Sequence, residues 1–253
     1  MTSHAIWIMT IALGALVAPQ AHAAVLLQYT MDNATDRLAP TTEATGVNGS
    51  SFTSGSANGT TFGALERTSS SAANLTTFTG LITTTGSAVL SSGTWSGYVL
   101  RRTYGASFAD PVTSSNAYIQ FTIQPESATK PLSLDSISLD AAKGGDSNVR
   151  SFRLAYSVDE FTTSTVLGGA DFAASIDGWR FANFSFDLSG ITALQDTDET
   201  ITFRLYGAAG SNNNQMGFDN ITVNGEVIPE PTSLALLGLA GLLMLPRRRQ
   251  ARA

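Results

Sequence analysis

Ser151-Phe152-Arg153-Leu154-Ala155-Tyr156-Ser157-Val158 is the stretch that decides the fold. Phe152, Leu154, Tyr156 and Val158 share one parity, and Ser151, Arg153, Ala155 and Ser157 the other. Successive side chains of extended backbone point to opposite sides, so a period of two predicts a strand with one face buried and one wet. The pattern recurs outward in both directions. Downstream it is carried by Phe181, Phe184, Phe186 and Leu188, by Ile201, Phe203 and Leu205, and by Phe218, Ile221 and Val223. Upstream lie Tyr118, Phe121 and Ile123, stopped by Pro125, and then Leu132, Leu134, Ile137 and Leu139. The slip between Leu134 and Ile137 breaks the period and predicts a bulge or a turn.

Nearer the N-terminus, Ala24 to Thr30 is a β-branched and apolar run closed by Asp32-Asn33, a strand with a turn after it. Residues 41–94 are rich in Ser and Thr, with spaced apolar anchors at Phe52, Phe62, Leu65, Leu75, Phe78, Leu81 and Ile82, and read as short strands between polar loops. Turns are expected at Gly144-Gly145, Gly168-Gly169, Asp177-Gly178, Gly207 to Gly210 and Asn224-Gly225. About nine to eleven short strands without an amphipathic helix argue an all-β chain, a single β-sandwich and specifically a jelly roll.

Composition narrows the chemistry. Ile6 to Val17 form an apolar core, succeeded by Pro19 and the small-residue pattern Ala21-His22-Ala23, which predicts a signal peptide over 1–23 cleaved by signal peptidase after Ala23. The two histidines, His4 and His22, fall in that segment, and the chain has no cysteine. The chain beyond Ala23 therefore lacks the residues for a Ser-His-Asp or Cys-His pair, an imidazole or thiolate zinc site, or a disulfide. Residues 24–228 carry 10 basic against 19 acidic side chains, a formal charge of −9. Nucleic acid and anionic lipid are poor partners for such a surface, and divalent cations or neutral and basic polymers better ones.

The β-domain is expected over 24–227, and residues 228–253 read as an address. Pro229-Glu230-Pro231 denies the backbone two donors and holds its neighbours extended, so the tripeptide stays accessible. Thr232 to Leu245 is 14 almost wholly apolar residues, about 21 Å as a helix against a bilayer core of about 30 Å. Pro246 and the basic run Arg247, Arg248 and Arg249 complete the segment. This order resembles the PEP-CTERM sorting signal of Gram-negative envelope proteins, whose Pro-Glu-Pro motif is read by an exosortase in the inner membrane. The resemblance implies an exosortase-like processing partner, a transient hold in the inner membrane by a short transmembrane helix, and delivery to the cell surface or extracellular matrix.

A second resemblance lies in the β-region. Tyr156 to Asp159, Trp179, Thr200 to Gly207 and Gly217 to Val223 look like the later half of jelly-roll domains common in surface and carbohydrate-binding proteins. Polysaccharide binding needs aromatic platforms beside polar groups, and Trp95, Tyr98, Tyr104, Trp179 and Tyr206 are the candidates; Trp95 and Trp179 read more readily as core plugs. Asp32 after the first strand and Asp219 in the last could meet around a structural Ca2+, since terminal strands of a closed jelly roll can be neighbours, and the resemblance adds to this. The acidic knot Asp196, Asp198 and Glu199 reads as a solvated loop tip. Glycoside hydrolysis needs two carboxylates at a set separation, and nothing in the sequence marks such a pair. The expectation is a non-catalytic structural or adhesive protein linked to exopolysaccharide, with a carbohydrate-binding module as the alternative and a hydrolase third.

Overall fold

The computed structural model describes residues 23–31, 36, 38–56, 66–74, 86–89, 94–104, 117–143, 150–172, 180–209 and 214–228; the side chains of 56–117, 180, 208, 209, 214 and 215 are excepted. Among them the chain forms β1 (Ala24–Tyr29), β2 (Thr42–Glu43), β3 (Val47–Gly49), β4 (Thr53–Ser56), β5 (Glu66–Asn74), β6 (Gly86–Val89) and β7 (Thr94–Tyr104). Then come β8 (Ala117–Pro125), β9 (Leu132–Lys143), β10 (Arg150–Ser157), β11 (Thr165–Phe172), β12 (Arg180–Asp187), β13 (Ile201–Ala209) and β14 (Asn214–Val227), with one 3-10 turn at Thr192–Leu194. No helix among the described residues is long and apolar enough to cross a membrane. Residues 1–22 and 229–253, which carry the two expected targeting segments, lie outside the described residues.

The strands make two sheets, one ordered β11-β10-β13-β8-β3 with β4 also on β8, the other β2-β1-β14-β7-β5-β12-β6 with β9 between β12 and β14. All ladders are antiparallel except the short β5–β12 contact, Arg180 to Ala73 and Phe181 to Asn74. From β8 to β14 consecutive strands change sheet at every step except the β10–β11 hairpin, so each sheet mixes strands distant in sequence, and the fold is the expected β-sandwich of jelly-roll class. The first and last strands pair, Tyr29 opposite Ile221 and Ala24 opposite Gly225.

Alternation sets the faces as anticipated. Phe152, Leu154 and Tyr156 of β10 point inward opposite Gly207, Leu205 and Phe203 of β13, and Ile119, Phe121 and Ile123 of β8 continue the row. At the centre, Phe121 meets Tyr29 at 5.1 Å, Phe52 at 5.2 Å and Phe203 at 5.3 Å between ring centroids. A second cluster joins Phe152 to Phe184 and Phe218. Offset and edge-to-face pairs at this spacing add to burial itself. The Tyr29 hydroxyl donates to the Ser50 carbonyl at 2.6 Å, and burial, with Glu43 adding to it, keeps that phenol protonated.

The slip in β9 is a bulge. Ser136 faces Asn224 and Leu134 faces Gly225, leaving Asp135 unpaired in the ladder; its carbonyl accepts from the Leu188 N-H at 2.8 Å instead. A second bulge at Asn220, whose φ is 48°, brings Phe218 and Ile221 to the same inner face although they are three residues apart.

Three expected turns are strands. Gly168-Gly169 lies in β11, Gly207 in β13 and Asn224-Gly225 in β14. Gly169 is required by close approach, since a Cβ there would run into the Phe152 carbonyl and the Arg153 Cα across the ladder. The turn that reverses β10 into β11 is built from Asp159 to Thr163 and contains no glycine.

Candidate functional site

The outer face of the six-stranded sheet carries the site. Out of phase with the core row, Tyr118, Gln120 and Thr122 of β8 stand opposite Tyr206, Arg204 and Thr202 of β13. Ala155 lies across from Arg204 on the other side, leaving room for the guanidinium to lie over the sheet. Arg204 Nε donates to Gln120 Oε1 at 2.8 Å, which fixes the plane of the group. Its carbon lies 4.0 Å from the centroid of the Tyr118 ring and 3.7 Å from that of Phe161. A guanidinium held between two ring faces is a rigid planar surface, stabilised by cation–π attraction of about 0.5–2 kcal/mol per contact.

Phe161 reaches Arg204 through a strained turn. Glu160 and Phe161 have φ of 57° and 64°, a left-handed pair unusual for residues with side chains. A polar clamp holds it. Asp159 accepts from the Thr163 N-H at 3.0 Å and the Thr163 hydroxyl at 2.7 Å, and the Ser157 hydroxyl donates to it at 2.7 Å. Ser157 Oγ also accepts from the Phe161 N-H at 2.9 Å. These donors, the Thr163 hydroxyl foremost, pull the Asp159 carboxyl down to about 2. Strain kept in place by this many bonds points to a functional position for the ring it presents.

Between this turn and the loop before β13 lies a cleft of about 450 Å³, open to solvent and lined by Gln120, Thr122, Thr202 and Arg204 on its floor. Val158, Glu160 and Phe161 form one wall, and Glu199 and Thr200 the other. The second wall is anchored by Thr200 Oγ1, which donates to Gln124 Oε1 at 2.7 Å, and by the reciprocal backbone bonds between Leu132 and Thr197. Hydroxyls and an amide on the floor with an aliphatic and aromatic wall suit a ligand having polar edges and apolar faces.

No family model matches the chain, and no curated protein matches it in sequence. Solved structures similar to it include a non-crystalline cellulose specific carbohydrate-binding module, CBM28, at 10% identity and a TM-score of 0.35, covering 56% of this chain and 82% of that one. A family 11 carbohydrate-binding module from Clostridium thermocellum, in complex with a β-1,3-1,4-mixed-linked tetrasaccharide, aligns at 12% identity and 0.32, over 81% of this chain and 99% of that one. The K3 adhesin domain of Lys-gingipain from Porphyromonas gingivalis aligns at 12% and 0.31, over 50% and 73%. Such scores carry no argument about function, which rests on the cleft.

Of the aromatic platforms read from sequence, Tyr206 is not one. It is 1% exposed, on the outer face but covered by the Tyr118 ring at 5.6 Å. Trp95, Tyr98 and Tyr104 lie on β7, of which the backbone alone is described, and Trp179 lies outside the described residues. Asp219 is buried, facing Asp140 across the β9–β14 ladder, and Asn220 Nδ2 donates to Asp140 at 2.8 Å and to Asp219 at 3.4 Å. Asn183 Nδ2 adds a bond to Asp140 at 2.9 Å. Asp32 lies outside the described residues, and among those described no three acidic or other metal-ligating side chains gather. The acidic knot is an exposed loop tip at Asp196, Asp198 and Glu199, yet Glu199 faces the cleft.

Sequence reasoning passed over Gln120, Phe161 and Arg204, and it placed Tyr118 in the buried row with Phe121 and Ile123, whereas Tyr118 stands on the outer face. One signal was available: Tyr118 is three residues before Phe121, so in an unbroken strand the two cannot share a face.

Proposed function

We propose that this chain is an exported, non-catalytic β-sandwich protein that holds a polysaccharide in the cleft above β8 and β13. The observation that carries the reading is the Arg204 guanidinium, pinned between Tyr118 and Phe161 and bonded to Gln120 beside an open cleft. A sugar offers an apolar C-H face to Phe161 and Val158, while its hydroxyls meet Gln120, Thr122, Thr202 and the free guanidinium N-H groups. Glu160 and Glu199 are both exposed, whereas a glycosidic general acid is housed in an apolar pocket. Binding without cleavage is therefore the better reading.

Titration of glycans against the chain tests this. Phe161→Ala and Arg204→Ala are each expected to weaken binding about tenfold or more while leaving the circular dichroism unchanged, a loss of about 1.4 kcal/mol. Wild-type affinity in both variants would remove the cleft as the site, and silence on every glycan leaves the purely structural matrix role.

Sorting and localisation are proposed on the C-terminal sequence alone. Pro229-Glu230-Pro231, the apolar run and the arginines would be read by an exosortase-like enzyme, with delivery to the surface or matrix. Glu230→Ala is expected to leave the tail attached in the membrane fraction while wild type is recovered without it. Equal tail retention in both, by mass spectrometry, would show that the motif is not processed.

A further inference from the structure

We infer that the polysaccharide held in the cleft carries free amino groups and that Glu160 and Glu199 select it; this rests on the proposal that the cleft binds a glycan. The two carboxylates come from different loops, Glu160 from the turn after β10 and Glu199 from the loop before β13, and both line the same cleft. Both are exposed, and neither is ion-paired among the described residues. Their positions are held rather than floppy. Glu160 sits on the strained turn clamped by Asp159, and the Glu199 N-H donates to Thr197 Oγ1 at 3.2 Å in a loop tied to β9.

Arg204 does not neutralise them. It is the one cation in the lining, and its charge is taken up between two rings and against Gln120. The cleft thus offers two carboxylates against one committed guanidinium, in a segment 24–228 whose formal charge is −9. A polymer of uronic acids or sulfated sugars would enter a field of its own sign. A neutral polymer would use the floor and the Phe161 and Val158 surface and leave both carboxylates without a partner. A partly deacetylated amino-sugar polymer uses all of it, with hydroxyls on the floor, ring faces on Phe161 and Val158, and ammonium groups on the two glutamates.

The test compares the hexamer of N-acetylglucosamine with the fully deacetylated glucosamine hexamer by calorimetric titration of the full chain. Exposed ammonium–carboxylate pairs are modest, so the deacetylated hexamer is expected to bind about threefold to tenfold tighter at low salt. That preference is expected to shrink at high salt, where surface charges are screened, and to vanish in the Glu160→Gln/Glu199→Gln double variant. Both sites are exposed, and an unchanged thermal midpoint checks that the variant is folded. Equal or tighter binding of the acetylated hexamer, or a preference that survives the double substitution, overturns the inference while leaving the glycan reading in place. Failure of both hexamers and of every neutral glycan defeats the glycan reading itself. Release of reducing ends from either hexamer would replace selection by hydrolysis.

Discussion

Phe121→Ala is expected to cost about 3–5 kcal/mol of unfolding free energy. The Phe121 ring has aromatic partners in both layers. Phe121 is 1% exposed on β8, its ring stacks on Phe203 of β13 in the same sheet, and its edge meets Tyr29 of β1 in the opposite sheet. Phe52, in the connection between β3 and β4, closes the group, lying 4.5 Å from Tyr29 and 5.2 Å from Phe121. Truncation removes the shared partner of three rings, and the strands that carry them are fixed by ladders and cannot collapse into the void. Single domains are stable by about 5–15 kcal/mol, so the variant stands near the edge of folding. Urea unfolding monitored by fluorescence checks it: the midpoint should fall with the slope unchanged. A loss below about 1 kcal/mol would mean that the two sheets are joined elsewhere, around Phe152, Phe184 and Phe218.

The inner face was legible because burial imposes one rule on every strand. Phe152, Leu154, Phe203 and Leu205 repeat at two, and even the irregular spacing of Leu134 and Ile137 was readable as a bulge or a turn, which the register resolves as a bulge at Asp135. The glycines misled because the same residue serves two purposes. In turns glycine supplies unusual backbone angles, while in β11 it is needed because Arg153 crosses close above Gly169. Conversely, the real β10–β11 turn puts Glu160 and Phe161 in left-handed geometry without a glycine, stabilised by the Ser157, Asp159 and Thr163 side chains. The parallel contact of β5 with β12 is a matter of long-range topology that no local pattern encodes.

The outer face was less legible because nothing local requires it. Arg204 acquires its role only when the β8–β13 register sets it opposite Gln120 and the β10–β11 turn brings Phe161 over it. These partners are 84 and 43 residues away in sequence. Tyr206 was chosen for its residue type alone; it lies on the outer face, but Tyr118 covers it. The knot containing Glu199 was rightly read as a solvated tip; that such a tip also forms the wall of a cleft comes only from the docking of its loop against β9.

Gly225→Val tests how tightly β14 is seated against β9. A Cβ at this position would run into the Ser133 carbonyl oxygen and come within 3.0 Å of Leu134 Cα and of Leu26 Cδ1. Two of those three atoms are backbone of the facing strand, so no rotamer change relieves the clash. The ladder must open at the bulge opposite Asp135, where Leu132, Leu134 and Val223 are all fully buried. The expected loss is about 1–3 kcal/mol or more, larger for valine than for alanine. Gly190→Ala is the matched control. A Cβ there meets nothing within 4 Å and its backbone angle is not left-handed, so its urea midpoint should move by no more than about 0.5 kcal/mol. Similar losses at both glycines would mean that β9 yields to admit a side chain. A large loss at Gly225 alone would show that the β9–β14 seam is closed by backbone contact, with the bulge fixing the register on which both faces of the sandwich depend.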